Sequence, residues 1–219
     1  MLGMAIASFL IEMIQAQMAT VLWGGLIAKY TLSMGLFIFA LGLGSFYQAK
    51  SLPGPKLAWQ QLIMAGFAIF SPWLIIWAGT HLLIHFAWSL SALSVLTVGI
   101  VAGMEFPLLA KIAENQLSED STFIFSQLLS ADFVGMGLSS IIFPIYLLRH
   151  IGVFKASLLA AALNLIIGFS IYHQHQDEFQ SKKSQITYLA LVILGALFIF
   201  GLWLNIIPIT SLAQAWVTK

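Results

Sequence analysis

Between a few short polar connections the 219-residue chain is almost continuously apolar, in runs of about 20 residues. That is the length a helix needs to cross roughly 30 Å of hydrocarbon. Lipid offers no water to unpaired backbone groups, so such runs must bond their N–H and C=O groups internally, as helices do. Hydrophobic residues make up 60% of the chain and charged residues 8%, against about 45–50% and about 25% for an ordinary soluble domain. The mean hydropathy of +0.97 agrees. The fold class that follows is all-α, a polytopic membrane helix bundle of about seven spans in one integral membrane domain covering residues 1–219.

Hydropathy and breaker positions place the spans at about 2–23, 30–49, 58–80, 86–110, 124–148, 152–173 and 187–208. Met1 to Leu10 has no basic region and no small-residue cleavage site, so it reads as the start of the first span and not as a signal peptide. Pro53-Gly54-Pro55 breaks the chain after the second span, and two polar loops, Lys111 to Thr122 and His173 to Gln185, lie on the side of the N-terminus. That side carries Lys50, Lys56, Lys111, Lys182 and Lys183, while the other carries Lys29, Arg149, Lys155 and Lys219. Five against four leaves the orientation open. Trp23, Trp59, Trp88 and Trp203 fall near span ends as an interfacial belt would, whereas Trp73 and Trp77 lie deeper, as packing residues.

Three carboxylates stand inside spans: Glu12, Glu105 and Asp132. An Asp at a helix centre costs roughly 2.5–3.5 kcal/mol on insertion scales, so such groups face a protein interior or a wet cavity. Glu12 has Ser8 at i−4 and Gln15 at i+3, a polar stripe directed inward. It reads equally as a neutral, hydrogen-bonded carboxyl or as a proton or cation site. Glu105 precedes Pro107, which loosens the carbonyl of Gly103 and offers a carbonyl and carboxylate pair to a cation. Its nearness to a span end and to Lys111 favours an interfacial pair or solvation. Asp132 lies deeper, flanked by Gly135 and Gly137, and is the first residue to test.

Other polar residues point to weaker chemistry. His81 and His85, at i and i+4, could hold a metal from one helical face, but they fall in a short connection with no carboxylate near, and His173 and His175 belong to a solvated loop. Asn164, and Asn205 with Pro208, suit interhelical hydrogen bonds worth about 0.6 kcal/mol each. Gly99 and Gly103, Ala131, Gly135 and Ser139, and Gly35, Gly42 and Gly44 are spaced for close helix packing. With no cysteine, disulfides and thiolate chemistry are excluded. The charge of +1 gives no attraction to nucleic acid. Dinucleotide, Walker, HExxH and GxSxG motifs are absent, and no cofactor is expected.

Five segments in order carry a resemblance: Ser8-Phe9-Leu10-Ile11-Glu12, GLFIFALGLGS from Gly35 to Ser45, GMEFPLL from Gly103 to Leu109, Ala131-Asp132-Phe133-Val134-Gly135, and Phe143-Pro144. Together they resemble the membrane domain of bacterial fused transporter-like/spermidine synthase proteins. The resemblance implies half of a major facilitator bundle, joined in the family to a C-terminal aminopropyltransferase-like domain, with Glu12, Glu105 and Asp132 as matching acidic positions. After the seventh span only Thr210 to Lys219 remain. The chain by itself is therefore not expected to be an aminopropyltransferase. The loop after the second span has Gln48, Lys50 and Lys56 where full facilitators have an Asp-Arg and Gly-Arg-Arg pattern.

Two functions follow as expectations. In the first, Asp132, Glu12 and Glu105, with Gln15 and Asn164, bind a cationic ligand, a polyamine by family association, in a transport-like site of the cell's inner membrane. A half-size bundle would then pair with a second copy or another protein. In the second, the chain is a non-catalytic membrane anchor or scaffold for a separately encoded enzyme or a larger membrane complex. A redox subunit using His81 or His85 ranks behind both.

Overall fold

The computed structural model describes residues 1–24, 26–46, 53–116, 121–179 and 181–204. Gln48, Lys50, Asn205, Pro208 and Lys219 lie outside them. Among the described residues seven helices are long and apolar enough to cross a bilayer. We label them α1 (Leu2–Trp23), α2 (Leu26–Ser45), α3 (Pro53–His81), α4 (Ile84–Gln116), α5 (Ser121–Ile142), α6 (Gly152–Gln174) and α7 (Lys182–Trp203). A π-helical turn, Phe143–Leu147, and a last short turn, Leu148–His150, prolong α5.

The breaks have local causes. Gly24 ends α1 at φ 67°, where its N–H donates to Thr20 O, and Gly152 opens α6 at φ 77°; only glycine takes such angles without strain. Pro144 has no N–H to give, and the ladder slips there to the wider π spacing, with Leu148 N–H donating to Phe143 O. Pro53 starts α3, where a missing donor costs nothing, so this helix begins earlier than the sequence pattern suggests. α4 likewise runs on past residue 110 to Gln116. Pro107 is held inside that helix without ending it.

α1 is the central helix, buried along most of its length and touching α2, α3, α4, α5 and α6. Phe9, Ile11, Ile14, Phe37, Met64, Val98, Phe143 and Leu165 belong to the main apolar core. The outer surface is apolar as well, with Phe39, Ile63, Phe70, Leu197 and Phe200 exposed, which suits lipid tails as solvent. α7 lies at the periphery, held to α3 and α6 by Tyr188, whose ring meets Trp59 edge-on at 5.3 Å and stacks on Tyr172 at 5.1 Å.

The neighbours form a pattern. α2 packs along α4, α1 along α5, α3 along α6, α3 beside α4, and α1 beside α6. Exchanging α1, α2 and α3 for α4, α5 and α6 returns these five pairs, although α1 beside α3 has no comparable α4 and α6 counterpart. α1 and α4 run in opposite directions, since α1 is parallel to α3 (Met4 against Leu57, Leu22 against Gly79) and α3 is antiparallel to α4 (Gln61 against Glu105). The exchange is therefore an inverted one.

Small residues set the closest approaches. A methyl added at Gly99 would stand 2.7 Å from Ala40 Cβ and 2.8 Å from Phe37 O, and one at Gly103 would strike Leu41 O and lie 3.0 Å from Gly44 Cα. Gly44 meets Ile100 O in return. Across α1 and α5, a methyl at Gly135 would lie 2.8 Å from Leu2 O, and Ser139 Oγ donates to Ile6 O at 3.1 Å. Gly35 and Gly42 are the exceptions: neither has a neighbouring atom within reach. Gly42 and Gly44 are two residues apart, about 200° around the helix, so only one can face α4.

Candidate functional site

Glu105 is reached by α3 and α4 running side by side in opposite directions. The carboxylate is 2% exposed, and Gln61 Nε2 donates to its Oε1 at 2.8 Å. Gln60, one residue back, donates to the backbone carbonyl of Val101. The two glutamines of α3 thus hold the turn of α4 that carries the carboxylate. Because α4 continues for eleven residues beyond Glu105, the residue is enclosed by protein, and the interfacial solvation suggested by the sequence does not occur.

A cavity of about 210 Å³ opens beside it, between α1, α2, α4 and α5. Glu105 and the half-buried Asp132 both line it, as do Ser8 and Ser45. Among the described residues no Lys, Arg or His side chain contributes to the lining, but Met1 does, and its α-amino group is near enough to interact with both Glu105 and Asp132. Much of the remaining wall is aromatic: Phe37, Phe106 and Phe125, the last two meeting edge-on with centroids 4.7 Å apart. Two carboxylates from separate helices and several ring faces outweigh the one α-amino group of Met1 and form an environment that attracts an organic cation. Gly103, which admits α2, also lines the cavity, so the close helix packing and the site share a residue.

Glu12 lies apart from this lining. Ser8, one turn nearer the N-terminus on the same face, borders the cavity and donates to Met4 O at 2.9 Å. Glu12 itself has no accessible surface, and neither carboxylate oxygen has a partner. Gln15 is equally enclosed, with both amide atoms unpartnered. Asn164, also fully buried, donates to Ala160 O of its own helix at 2.9 Å, with Oδ1 unpartnered. Its amide bonds within α6 and not between helices.

The histidines part company. His81 ends α3, stacked on Trp77 at 5.5 Å, while His85 belongs to α4, so the two do not share a helical face as the spacing suggested. Among the described residues no three His, Cys, Asp or Glu side chains gather as a metal site would require. His175, expected in a solvated loop, is 9% exposed; its Nδ1 lies 2.8 Å from Glu178 Oε1 and its ring covers Gly54 at the start of α3.

No protein-family model matches the chain, and no solved structure does. Among curated proteins, a polyamine aminopropyltransferase of Leptospira interrogans is 28% identical over 191 residues, 84% of this chain and 37% of its own length. Polyamine aminopropyltransferase 2 of Streptomyces coelicolor is 27% identical over 169 residues, 70% of this chain and 29% of its own length. Polyamine aminopropyltransferase 2 of Ralstonia nicotianae is 25% identical over 166 residues, 74% and 32% respectively. The chain is similar to polyamine aminopropyltransferases. It spans about a third of the length of these aminopropyltransferases, so the similarity concerns one part of them.

Sequence reasoning did not single out Gln61, Phe106 or Phe125. A signal for Gln61 was present, since Gln60-Gln61 is an amide pair inside an apolar span. The phenylalanines had none, because a ring that lines a cavity and one that faces lipid look alike in sequence.

Proposed function

We propose that the chain is a membrane protein with a binding or transport-like site for an organic cation, seated in the cavity between α1, α2, α4 and α5. The observation that carries this reading is the shared cavity of Glu105 and Asp132, two carboxylates against the single α-amino group of Met1. The names of the relatives favour a polyamine as the cation. Asp132 and Glu105 hold the ammonium group, Gln61 fixes the Glu105 carboxylate, and the phenylalanine faces cover the methylene chain. The inverted exchange of neighbours supports a half-facilitator architecture in the cell's inner membrane. A bundle of that size alternates access only by pairing with a second copy or another membrane protein.

The test is uptake and binding of radiolabelled spermidine by the purified chain in liposomes. Asp132→Asn, close to isosteric, is expected to weaken binding about tenfold or more with the folded fraction unchanged. Uptake and binding equal to wild type would remove the site. A second reading, a membrane anchor or scaffold for a separate enzyme, draws on one distinct observation: the relatives are named as enzymes, and the chain matches only about a third of each. Stoichiometric co-purification of a soluble enzyme in mild detergent, without spermidine binding, would favour it.

A further inference from the structure

We propose that the site takes a linear diamine by both ends, with Glu12 and Gln15 forming the pocket for the second ammonium group. This rests on the cation site above and adds to it a requirement for two charges at a set spacing. Glu12 offers two carboxylate oxygens and Gln15 one amide oxygen, all fully buried and all without a partner. Those three acceptors match the three donors of one ammonium group, with the unpartnered Gln15 Nε2 donor left over. A buried carboxylate left without partners is costly, so a guest that brings donors removes a penalty already present in the folded chain.

The spacing sets the ligand. Ser8 borders the cavity, and Glu12 follows four residues on along the same face, about 6 Å deeper. Helical side chains lean back toward the N-terminus, which for Glu12 is the direction of Ser8 and the cavity. Amines separated by three or four methylenes span about the same length. Ser8 spends its hydroxyl proton on Met4 O, and no charge stands between it and Glu12 on that face of α1. Beside Ser8 the cavity wall is apolar, including Phe37 and the flexible thioether of Met136, which suits methylenes.

The experiment uses the full chain in lipid nanodiscs and measures affinity for 1,4-diaminobutane, n-butylamine and NaCl. Wild type is expected to bind the diamine about tenfold or more tightly than the monoamine. Glu12→Gln should bring the diamine down to the level of the monoamine while leaving the monoamine unchanged, with thermal melting checking the fold. Gln15→Leu provides a second variant and should lower the diamine preference in the same direction. If the diamine preference is absent, or survives Glu12→Gln and Gln15→Leu, the two-ended site is wrong while the cation site stands. If NaCl competes through Glu12 and the diamine does not, the pocket is one for a metal cation. If neither amine binds wild type, both proposals fall together.

Discussion

Gln61 and Glu105, on antiparallel helices, are joined by a 2.8 Å hydrogen bond from the amide to a carboxylate that is almost wholly enclosed. The pair ties the packing of α3 on α4 to the chemistry of the cavity. Removing the donor leaves one oxygen of a buried carboxyl unsatisfied. Gln61→Leu is therefore expected to cost about 1–3 kcal/mol, read as a lower melting temperature in detergent. Spermidine binding should weaken as well, because Glu105 loses the group that orients it.

The glycine seam between α2 and α4 has its own consequence. Gly103→Leu would drive a side chain into Leu41 O and Gly44 Cα, and the expected loss is about 1–3 kcal/mol from overpacking. Gly42→Leu, at a position with open space, should leave the melting temperature close to wild type. Equal losses at the two positions would show that the seam is wrongly placed.

A buried phenol separates packing from hydrogen bonding. Tyr188 Oη has no partner, and it is the atom that a methyl at Gly168 would meet first, at 2.8 Å. Tyr188→Phe is expected to be neutral or slightly stabilising, since it removes an unsatisfied polar atom. Gly168→Ala should destabilise wild type and cost less in the Tyr188→Phe background. A double-mutant cycle by thermal unfolding measures that coupling, expected at about 0.5–3 kcal/mol.

At the end of the bundle nearest the N-terminus, His175 and Glu178 close the loop between α6 and α7 over the start of α3. His175→Ala should raise amide exchange around residues 54–58 and 175–179 and leave the rest of the helices protected. The stability lost is expected to be about 0.5–1.5 kcal/mol, one hydrogen bond. Unchanged exchange would mean that the loop is held by its other contacts, the rings of Tyr172 and Phe179 at 5.0 Å and Gln185 Nε2 donating to Gln176 O at 2.8 Å.

Spacing alone pointed to Gly99, Gly103, Gly135 and Gly44, but it could not tell that Gly42 faces away, because helix phase is set by a partner helix and not by composition. The same holds for Glu105. Counting residues to the span end suggested solvation, and only the continuation of α4 with Gln61 opposite encloses it. His81 and His85 show the limit of i,i+4 reasoning, which fails once the chain breaks at Leu82 and Leu83.

By itself the sequence determined that this chain is all-helical and that its carboxylates are few and set within apolar spans, because length and hydrophobicity follow directly from residue order. Tertiary structure decided which of those carboxylates meet. Glu105 and Asp132 are 27 positions apart and share a cavity only because α4 and α5 both pack on α1, whereas Glu12 is enclosed away from its lining. Side chains on different helices meet by the angle and register of packing, and those depend on contacts between residues far apart in the chain.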